Sequence, residues 1–241
     1  MKRVLAIVIV CGCASGKSSG ITDASIGQPV DAKEFLDGQI EPQQDAAQHP
    51  DAMTDARPLD AFVFLDACVP QVTELLMNPV LDLAPAGVGW AQVPSDPTYP
   101  PITSDGAFAP HTAPYKMWLG GLIAPAGTNV TSFVYQDVTI PAGTTQLVMT
   151  GYHVVGTEET ATTAFDTATV AVTQVNGTPI ESVEALSNLT NTGTAWAPFN
   201  HTFTSNLSGQ TVRLRFTSTN DDSLNTNFFF DTLSLKATHC P

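Results

Sequence analysis

Positive charge is scarce in this sequence. The 241 residues include 9 Lys and Arg against 23 Asp and Glu, and the formal net charge is −14. Because a nucleic-acid partner requires clustered basic side chains, this balance excludes DNA or RNA binding. Long apolar runs are missing as well, since the run from Val4 to Val10 falls far short of the roughly 20 residues that span a bilayer.

Patterns typical of metalloenzymes and hydrolases are also missing. No close metal-binding spacing, such as His-x-x-x-His, occurs among His49, His111, His153, His201 and His239. The segment from Gly16 to Gly20 matches Gly-x-Ser-x-Gly, but that nucleophile motif works only at a turn between a strand and a helix. We therefore predict a protein that is not an enzyme. An unrecognised hydrolase stays as an alternative, because the separation of two catalytic carboxylates depends on the fold.

The N-terminus has the features of an export signal. Lys2 and Arg3 precede the apolar run from Val4 to Val10, an arrangement typical of secretory signal peptides. A segment of this kind is removed on export, so the mature chain is predicted to lie outside the cytoplasm.

The end of this segment resembles the lipobox of bacterial lipoproteins. In Val10-Cys11-Gly12-Cys13 an aliphatic, a variable and a small residue precede a cysteine, which in that family is acylated. The resemblance implies a signal peptide over residues 1–12 and a lipid on Cys13 as the only membrane anchor. Because Ala14 rather than an aspartate follows, it also implies the outer membrane of the bacterial cell envelope. The alternative is an ordinary signal peptide cleaved within residues 14–19.

Two cysteines remain once Cys11 has left with the signal peptide and Cys13 carries the lipid. Cys68 stands just before the first strand-like segment, and Cys240 is the penultimate residue. In an oxidising compartment a pair of cysteines that flanks a domain predicts a disulfide. The alternative is two unpaired thiols.

Residues 13–67 are predicted to form a disordered acidic tether. Asp-Ala recurs along this segment, Pro50 and Pro58 interrupt it, and aromatic residues are few. Such a composition buries too little apolar surface to order the chain. The tether would lift the remaining domain off the lipid surface.

Residues 68–241 have the residue alternation typical of an all-β domain. Apolar Val212, Leu214 and Phe216 alternate with Arg213 and Arg215, as in a strand that is buried on one face. Similar alternation predicts strands over residues 133–140, 146–154, 168–175, 211–217 and 227–235. Turn residues such as Asn-Gly separate these runs. We predict a two-sheet antiparallel β-sandwich whose core needs no partner chain, and hence a monomer.

Several segments carry a family resemblance. They include Glu74-Leu-Leu-Met-Asn-Pro-Val-Leu-Asp82, Tyr115-Lys-Met-Trp-Leu-Gly-Gly121, Val134-Tyr-Gln-Asp-Val-Thr-Ile-Pro-Ala-Gly143, Gly209-Gln-Thr-Val-Arg-Leu-Arg-Phe216 and Thr226-Asn-Phe-Phe-Phe-Asp231-Thr-Leu-Ser-Leu235. In this order they resemble the galactose-binding-like jelly-roll domains, which include many carbohydrate-binding modules. The resemblance covers nearly all of residues 72–237 and implies a jelly roll whose opening strand holds the first segment.

The same resemblance implies a structural calcium ion. Family members often bind it through an acid that ends the opening strand and an acid in the last strand, which correspond here to Asp82 and Asp231. Calcium prefers such hard oxygen ligands. The last-strand motif usually reads Asp-Asp, whereas here Thr232 follows Asp231. The alternative is that these acids cap strand ends.

Two further sets of residues are candidates for ligand binding. The acidic set, which could hold a cation or a polar ligand at one rim, is Glu158, Glu159, Asp166, Asp221 and Asp222. The aromatic set, which could stack on sugar rings, is Trp118, Tyr135, Tyr152 and Trp196. The alternatives are solvated loop charges for the first set and core or edge packing for the second.

Together these features predict a lipid-anchored extracytoplasmic binding module. Its ligand would be a polysaccharide, another glycan or a different extracellular polymer. A structural or adhesive envelope protein that contacts other proteins is the alternative, and a contiguous exposed apolar patch on one sheet face would identify it.

Overall fold

The computed structural model describes residues 68–106, 108–160 and 162–240. The chain divides into two units, residues 1–60 and 61–241, and the described residues all belong to the second. The predicted signal peptide, the lipid site at Cys13 and the predicted tether lie outside the described residues. In the part of the chain that is described, no helix has the length and apolar character needed to cross a membrane.

The described residues form eleven strands and a single short 3₁₀ helix at Asn188–Thr190. The strands are β1 Gln71–Glu74, β2 Ala91–Val93, β3 Ile102–Thr103, β4 Lys116–Gly120, β5 Val130–Thr139, β6 Thr144–Thr157, β7 Thr167–Thr173, β8 Pro179–Ser187, β9 Ala197–Thr202, β10 Thr211–Asn220 and β11 Thr226–His239.

These strands make two antiparallel sheets. The first sheet has the order β3-β4-β11-β6-β9, with β1 paired to β11, and the second has the order β2-β5-β10-β7-β8. All pairings are antiparallel. The predicted all-β, two-sheet sandwich is therefore confirmed.

The core lies between the two sheets. In β10 the predicted inward residues Val212, Leu214 and Phe216 are at most 1% exposed. The ring of Phe216 packs edge-on against Phe230 of the first sheet, with centroids 5.1 Å apart. Burial of such side chains stabilises the fold by about 1.5–3 kcal/mol each. The apolar residues that alternate along the strands therefore hold the two sheets together.

The predicted opening strand is only partly correct. β1 ends at Glu74, and residues 75–82 form turns rather than a strand. Asn78 and Leu81 have φ angles of 53° and 63°, which place them in the left-handed region and are incompatible with an extended strand. The backbone after β1 stays beside β11 without forming a regular strand, since the Leu75 amide donates to Leu235 and the Leu233 amide donates to Pro79, over 2.9 Å each.

The disulfide between Cys68 and Cys240 is confirmed. The two Cα atoms are 5.7 Å apart, and the bond closes a loop with a sequence separation of 172 residues. Cys68 precedes β1 and Cys240 follows β11, so the bond fastens two strands that already pair with each other. Chain-entropy models credit a loop of this length with about 4–5 kcal/mol.

Candidate functional site

Three of the four predicted stacking aromatics lie on one face of the first sheet. Trp118 lies opposite Phe229 in the pairing of β4 with β11, and Tyr152 lies on the neighbouring strand β6. Trp118 points away from the core because its neighbours Met117 and Leu119 are buried in it. Trp196, just before the edge strand β9, completes the group on this outer face.

A loop packs over these aromatic side chains. Phe108 stacks on Phe229 with centroids 4.8 Å apart, and His111 stacks on Tyr152 at 3.9 Å. Both Phe108 and His111 also contact the Trp196 ring, each at 5.7 Å. One face of Tyr152 is therefore already covered by protein, and Trp196 packs in the same group. The sequence analysis did not identify Phe108 or His111 as part of this face.

Tyr135 lies elsewhere. It belongs to β5 of the second sheet, where the Arg213 guanidinium lies 3.8 Å from its ring centroid. Arg213 is fixed by two hydrogen bonds to Asp137, of 2.7 and 2.9 Å. Tyr135 therefore does not share a site with the other three aromatics.

Trp118 also lines a cleft of about 240 Å³ beside this face. The lining residues are Pro94, Ser95, Tyr99, Pro100, Pro101, Trp118, Gly120, Gly121, Leu122 and Ser132. Tyr99 is 63% exposed, so its ring is available at the cleft. The sequence analysis missed Tyr99, although a turn signal, Asp96-Pro97, lies close before it.

Local backbone features position the two aromatic rings of the cleft. Tyr99 closes a turn in which its amide donates to the carbonyl of Asp96 over 3.0 Å. The indole Nε1 of Trp118 donates to Asn227 Oδ1 over 2.8 Å. Gly121 has a φ of 75°, and a Cβ there would lie 3.0 Å from Trp118 Nε1. Glycine is therefore required for the indole to occupy its place.

Below the aromatic face lies a buried lysine. Lys116 is 0% exposed, and its ammonium donates to the carbonyl of Asp105. Burial lowers the pKa of Lys116, while the negative charges of Asp105 and Asp231 oppose that shift. The outer face of the first sheet thus carries a lysine side chain that solvent does not reach.

The residues predicted to bind calcium have different surroundings. Asp231 is 0% exposed, and its carboxylate accepts hydrogen bonds from the amides of Thr112 and Thr232, at 2.9 and 2.6 Å. Burial raises the pKa of Asp231 despite these bonds. Asp82 keeps one buried oxygen, Oδ1, without a hydrogen-bond partner among the described residues. Asp231 is thus satisfied by protein donors, whereas Asp82 could take a cation, and calcium at this pair stays a prediction.

Three of the predicted rim acids come together. Glu159, Asp166 and Asp221 each offer a carboxylate oxygen, and these oxygens lie within 4.8 Å of one another, an arrangement that could bind a metal ion. Glu158 and Asp222 are not part of this cluster. Asp222 instead accepts a hydrogen bond from the amide of Gly127.

No protein-family model matches the chain, and no curated protein matches it. Among solved structures, the module TmCBM61 in complex with β-1,4-galactotriose is 16% identical, with 68% of this chain and 97% of that chain covered and a TM-score of 0.40. The xylan-binding CBM22-1 domain of Paenibacillus barcinonensis Xyn10C is 12% identical, with coverages of 73% and 99% and a TM-score of 0.40. A Stig cyclase from Fischerella sp. TAU is also 12% identical, with coverages of 71% and 100% and a TM-score of 0.44. At these identities and TM-scores the likeness identifies neither a ligand nor a function for this chain.

Proposed function

We propose that this protein is a non-catalytic binding module, displayed outside the cytoplasm on a lipid anchor, that holds carbohydrate in the cleft between Tyr99 and Trp118. The observation that carries the proposal is the pairing of an exposed tyrosine with a fixed indole in one cleft. The N-terminal sequence, with its lipobox-like cysteine Cys13, supports the anchor.

The lining of the cleft has the chemistry that sugars require. The aromatic and proline rings offer apolar surfaces for the C–H faces of a sugar, and polar groups at the edge can bind its hydroxyls. The exposed Ser95 supplies such a group, whereas the hydroxyl of the buried Ser132 lies 2.9 Å from that of Ser218. At about 240 Å³ the cleft is slightly smaller than the roughly 300–1,000 Å³ of a drug-sized site. A short stretch of a longer glycan would therefore occupy it.

The same lining favours binding over catalysis. Glycoside hydrolysis needs a pair of carboxylates on either side of the scissile bond. The cleft is lined by proline, serine, glycine, leucine and aromatic residues, and no acidic side chain is among its described lining residues. A ligand held here would meet hydrogen-bonding groups but no general acid.

Glycan binding by the purified protein tests the proposal. A glycan array followed by titration calorimetry should identify a ligand, and Tyr99→Ala and Trp118→Ala should each weaken its binding by roughly tenfold, the equivalent of about 1.4 kcal/mol for a lost aromatic contact. Tyr135→Ala removes an aromatic ring from the other sheet and serves as the matched control, with unchanged affinity expected.

Two results would reject the proposal. One is the lack of binding to any glycan on the array. The other is a Tyr99→Ala variant that binds as tightly as the unchanged protein. Because Tyr99 is largely exposed, this variant should fold normally even if Trp118→Ala does not, and a thermal melt checks both.

A further inference from the structure

The acidic cluster at one end of the sandwich connects three loop positions. Asp166 directly precedes β7, and Asp221 directly follows β10, which pairs with β7. Glu159 comes from the other sheet, two residues after the end of β6. Their carboxylate oxygens lie within 4.8 Å of one another. Three negative charges at this separation repel one another strongly unless something neutralises them.

The surroundings of Asp166 are independent evidence that this cluster binds a ligand. Its side chain is 0% exposed, and its Oδ2 atom has no hydrogen-bond partner in the part of the chain that the structure describes. A buried carboxylate is costly unless it is paired, protonated or bound to a metal ion. Asn225, in the same loop as Asp221, also has a buried oxygen, Oδ1, that lacks a partner among the residues described.

Hydrogen bonds hold each carboxylate by one oxygen. Glu159 Oε1 accepts from the Leu224 amide at 3.1 Å, and Asp221 Oδ1 accepts from the Ser223 amide at 2.9 Å. The Ser223 hydroxyl lies 2.6 Å from both of these oxygens. Asp166 Oδ1 accepts from the Asp221 amide at 2.9 Å. None of these bonds uses the second oxygen of any of the three carboxylates, which leaves one oxygen of each for a ligand.

We propose that Glu159, Asp166 and Asp221 bind a calcium ion, at a site separate from Asp82 and Asp231. Calcium takes six to eight oxygen ligands at about 2.3–2.6 Å, so two of its ligands can lie up to about 5 Å apart. The 4.8 Å span of the cluster fits this limit. Oxygen-only ligands from loops suit calcium better than zinc or copper.

The proposed ion would also stabilise one wall of the cleft. The carbonyl of Asp221 accepts a hydrogen bond from the Ala124 amide over 2.9 Å, and the Gly121 amide donates to Thr226 over 2.9 Å. The segment between these two bonds includes Leu122, which lines the cleft. Fixing the loop that follows β10 therefore fixes this segment as well.

Calcium titration of the purified protein after EDTA treatment tests the site. Calorimetry should show binding that becomes at least roughly tenfold weaker in Asp166→Asn and in Glu159→Gln. Calcium should raise the melting temperature of the unchanged protein, and this rise should shrink in both variants. Glu158→Gln makes the same chemical change one residue outside the cluster and should behave as the unchanged protein. Asp82→Asn should also leave this binding event in place, which separates it from an ion at Asp82 and Asp231.

Three results would overturn the inference. The first is that the unchanged protein binds no calcium. The second is that Asp166→Asn and Glu159→Gln bind calcium as tightly as the unchanged protein. The third is an unchanged melting temperature of the protein when calcium is added after EDTA treatment. If Asp166→Asn fails to fold, the half-buried Glu159 still gives a decisive variant.

Discussion

Glu181 joins the two sheets through a single carboxylate. It lies on β8 of the second sheet, and its Oε1 atom is 2.8 Å from Nε2 of His201, which lies on β9 of the first. It also accepts hydrogen bonds from the amides of Thr204 and Ser205, at 3.0 and 2.8 Å. Burial raises the pKa of Glu181, but the hydrogen bonds from Ser205, Thr204 and His201 outweigh it and lower the pKa to about 2.

Glu181→Gln should therefore destabilise the fold near neutral pH. Charged hydrogen bonds of this kind contribute about 1.5–3 kcal/mol each, of which part is retained by the amide. We expect a loss of roughly 1–2 kcal/mol in the free energy of unfolding at pH 7, measured by urea denaturation. Because the folded-state pKa is below its ordinary value of 4.5, the stabilisation is present above pH 4.5 and is lost as the pH falls towards about 2.

Glu184→Gln is the matched control for this prediction. Glu184 lies on the same strand, but burial raises its pKa, although the charge of His201 opposes the shift. Neutralising Glu184 should cost little or even stabilise the fold. An equal loss of stability in the two variants at pH 7, or a loss for Glu181→Gln that does not change with pH, would contradict the assignment.

At the level of single residues, the sequence predicted the chemistry of the candidate sites better than their geometry. It identified Trp118 as a possible stacking residue and Asp166 as a possible ligand because of their side-chain types. It could not show that Asp166 is buried, since burial depends on how two loops from different sheets meet. Tyr99 and His111 were missed because the courses of their loops are set by tertiary contacts.

Among the strands, β6 shows how tightly the sandwich is packed. A Cβ atom at Gly151 would lie 2.6 Å from the Phe199 ring and 2.8 Å from the Leu233 side chain. Gly151→Ala should therefore destabilise the protein by about 1–3 kcal/mol, as overpacked cores do, and thermal or urea unfolding measures this.

Gly156 on the same strand provides the control. The nearest heavy atom to a Cβ at Gly156 would be the Gly193 carbonyl oxygen, 3.9 Å away, so Gly156→Ala should cost far less. If the two alanine variants unfold at the same point, the close contact at Gly151 is relieved by movement of its neighbours and the prediction fails.

The strands that the sequence predicted are those with one buried face. Residues 211–217 fall within β10 and residues 227–235 within β11. These strands were predicted because the alternation of apolar and polar residues marks the side chains that face the core. β8 was missed because an edge strand alternates weakly, and most of its residues are partly or fully exposed. The order of strands in each sheet could not be read, since it depends on pairings between distant segments. Without that order, the sequence could not predict that Trp118, Tyr152 and Trp196 lie on one face.

For the whole molecule, the lipid anchor predicted at Cys13 would decide where the sandwich operates. Cys13 lies outside the described residues, and its acylation is predicted from the sequence. In a bacterial host supplied with a labelled fatty acid, Cys13→Ser should abolish labelling because the acylated thiol is lost. Cys11→Ser, two residues earlier, is the matched control and should still be labelled. Label that persists on Cys13→Ser, or disappears only from Cys11→Ser, would place the lipid elsewhere.

The Cys68–Cys240 bond makes the sandwich a covalent ring. A protease that cuts once at an exposed loop residue, such as Phe165 or Leu224, opens the ring but releases no fragment. The two pieces would migrate together on a gel until a reductant separates them. Nicked molecules would thus stay covalently whole in an oxidising environment. The C-terminal piece, which carries β11, would remain attached to the N-terminal piece through the disulfide.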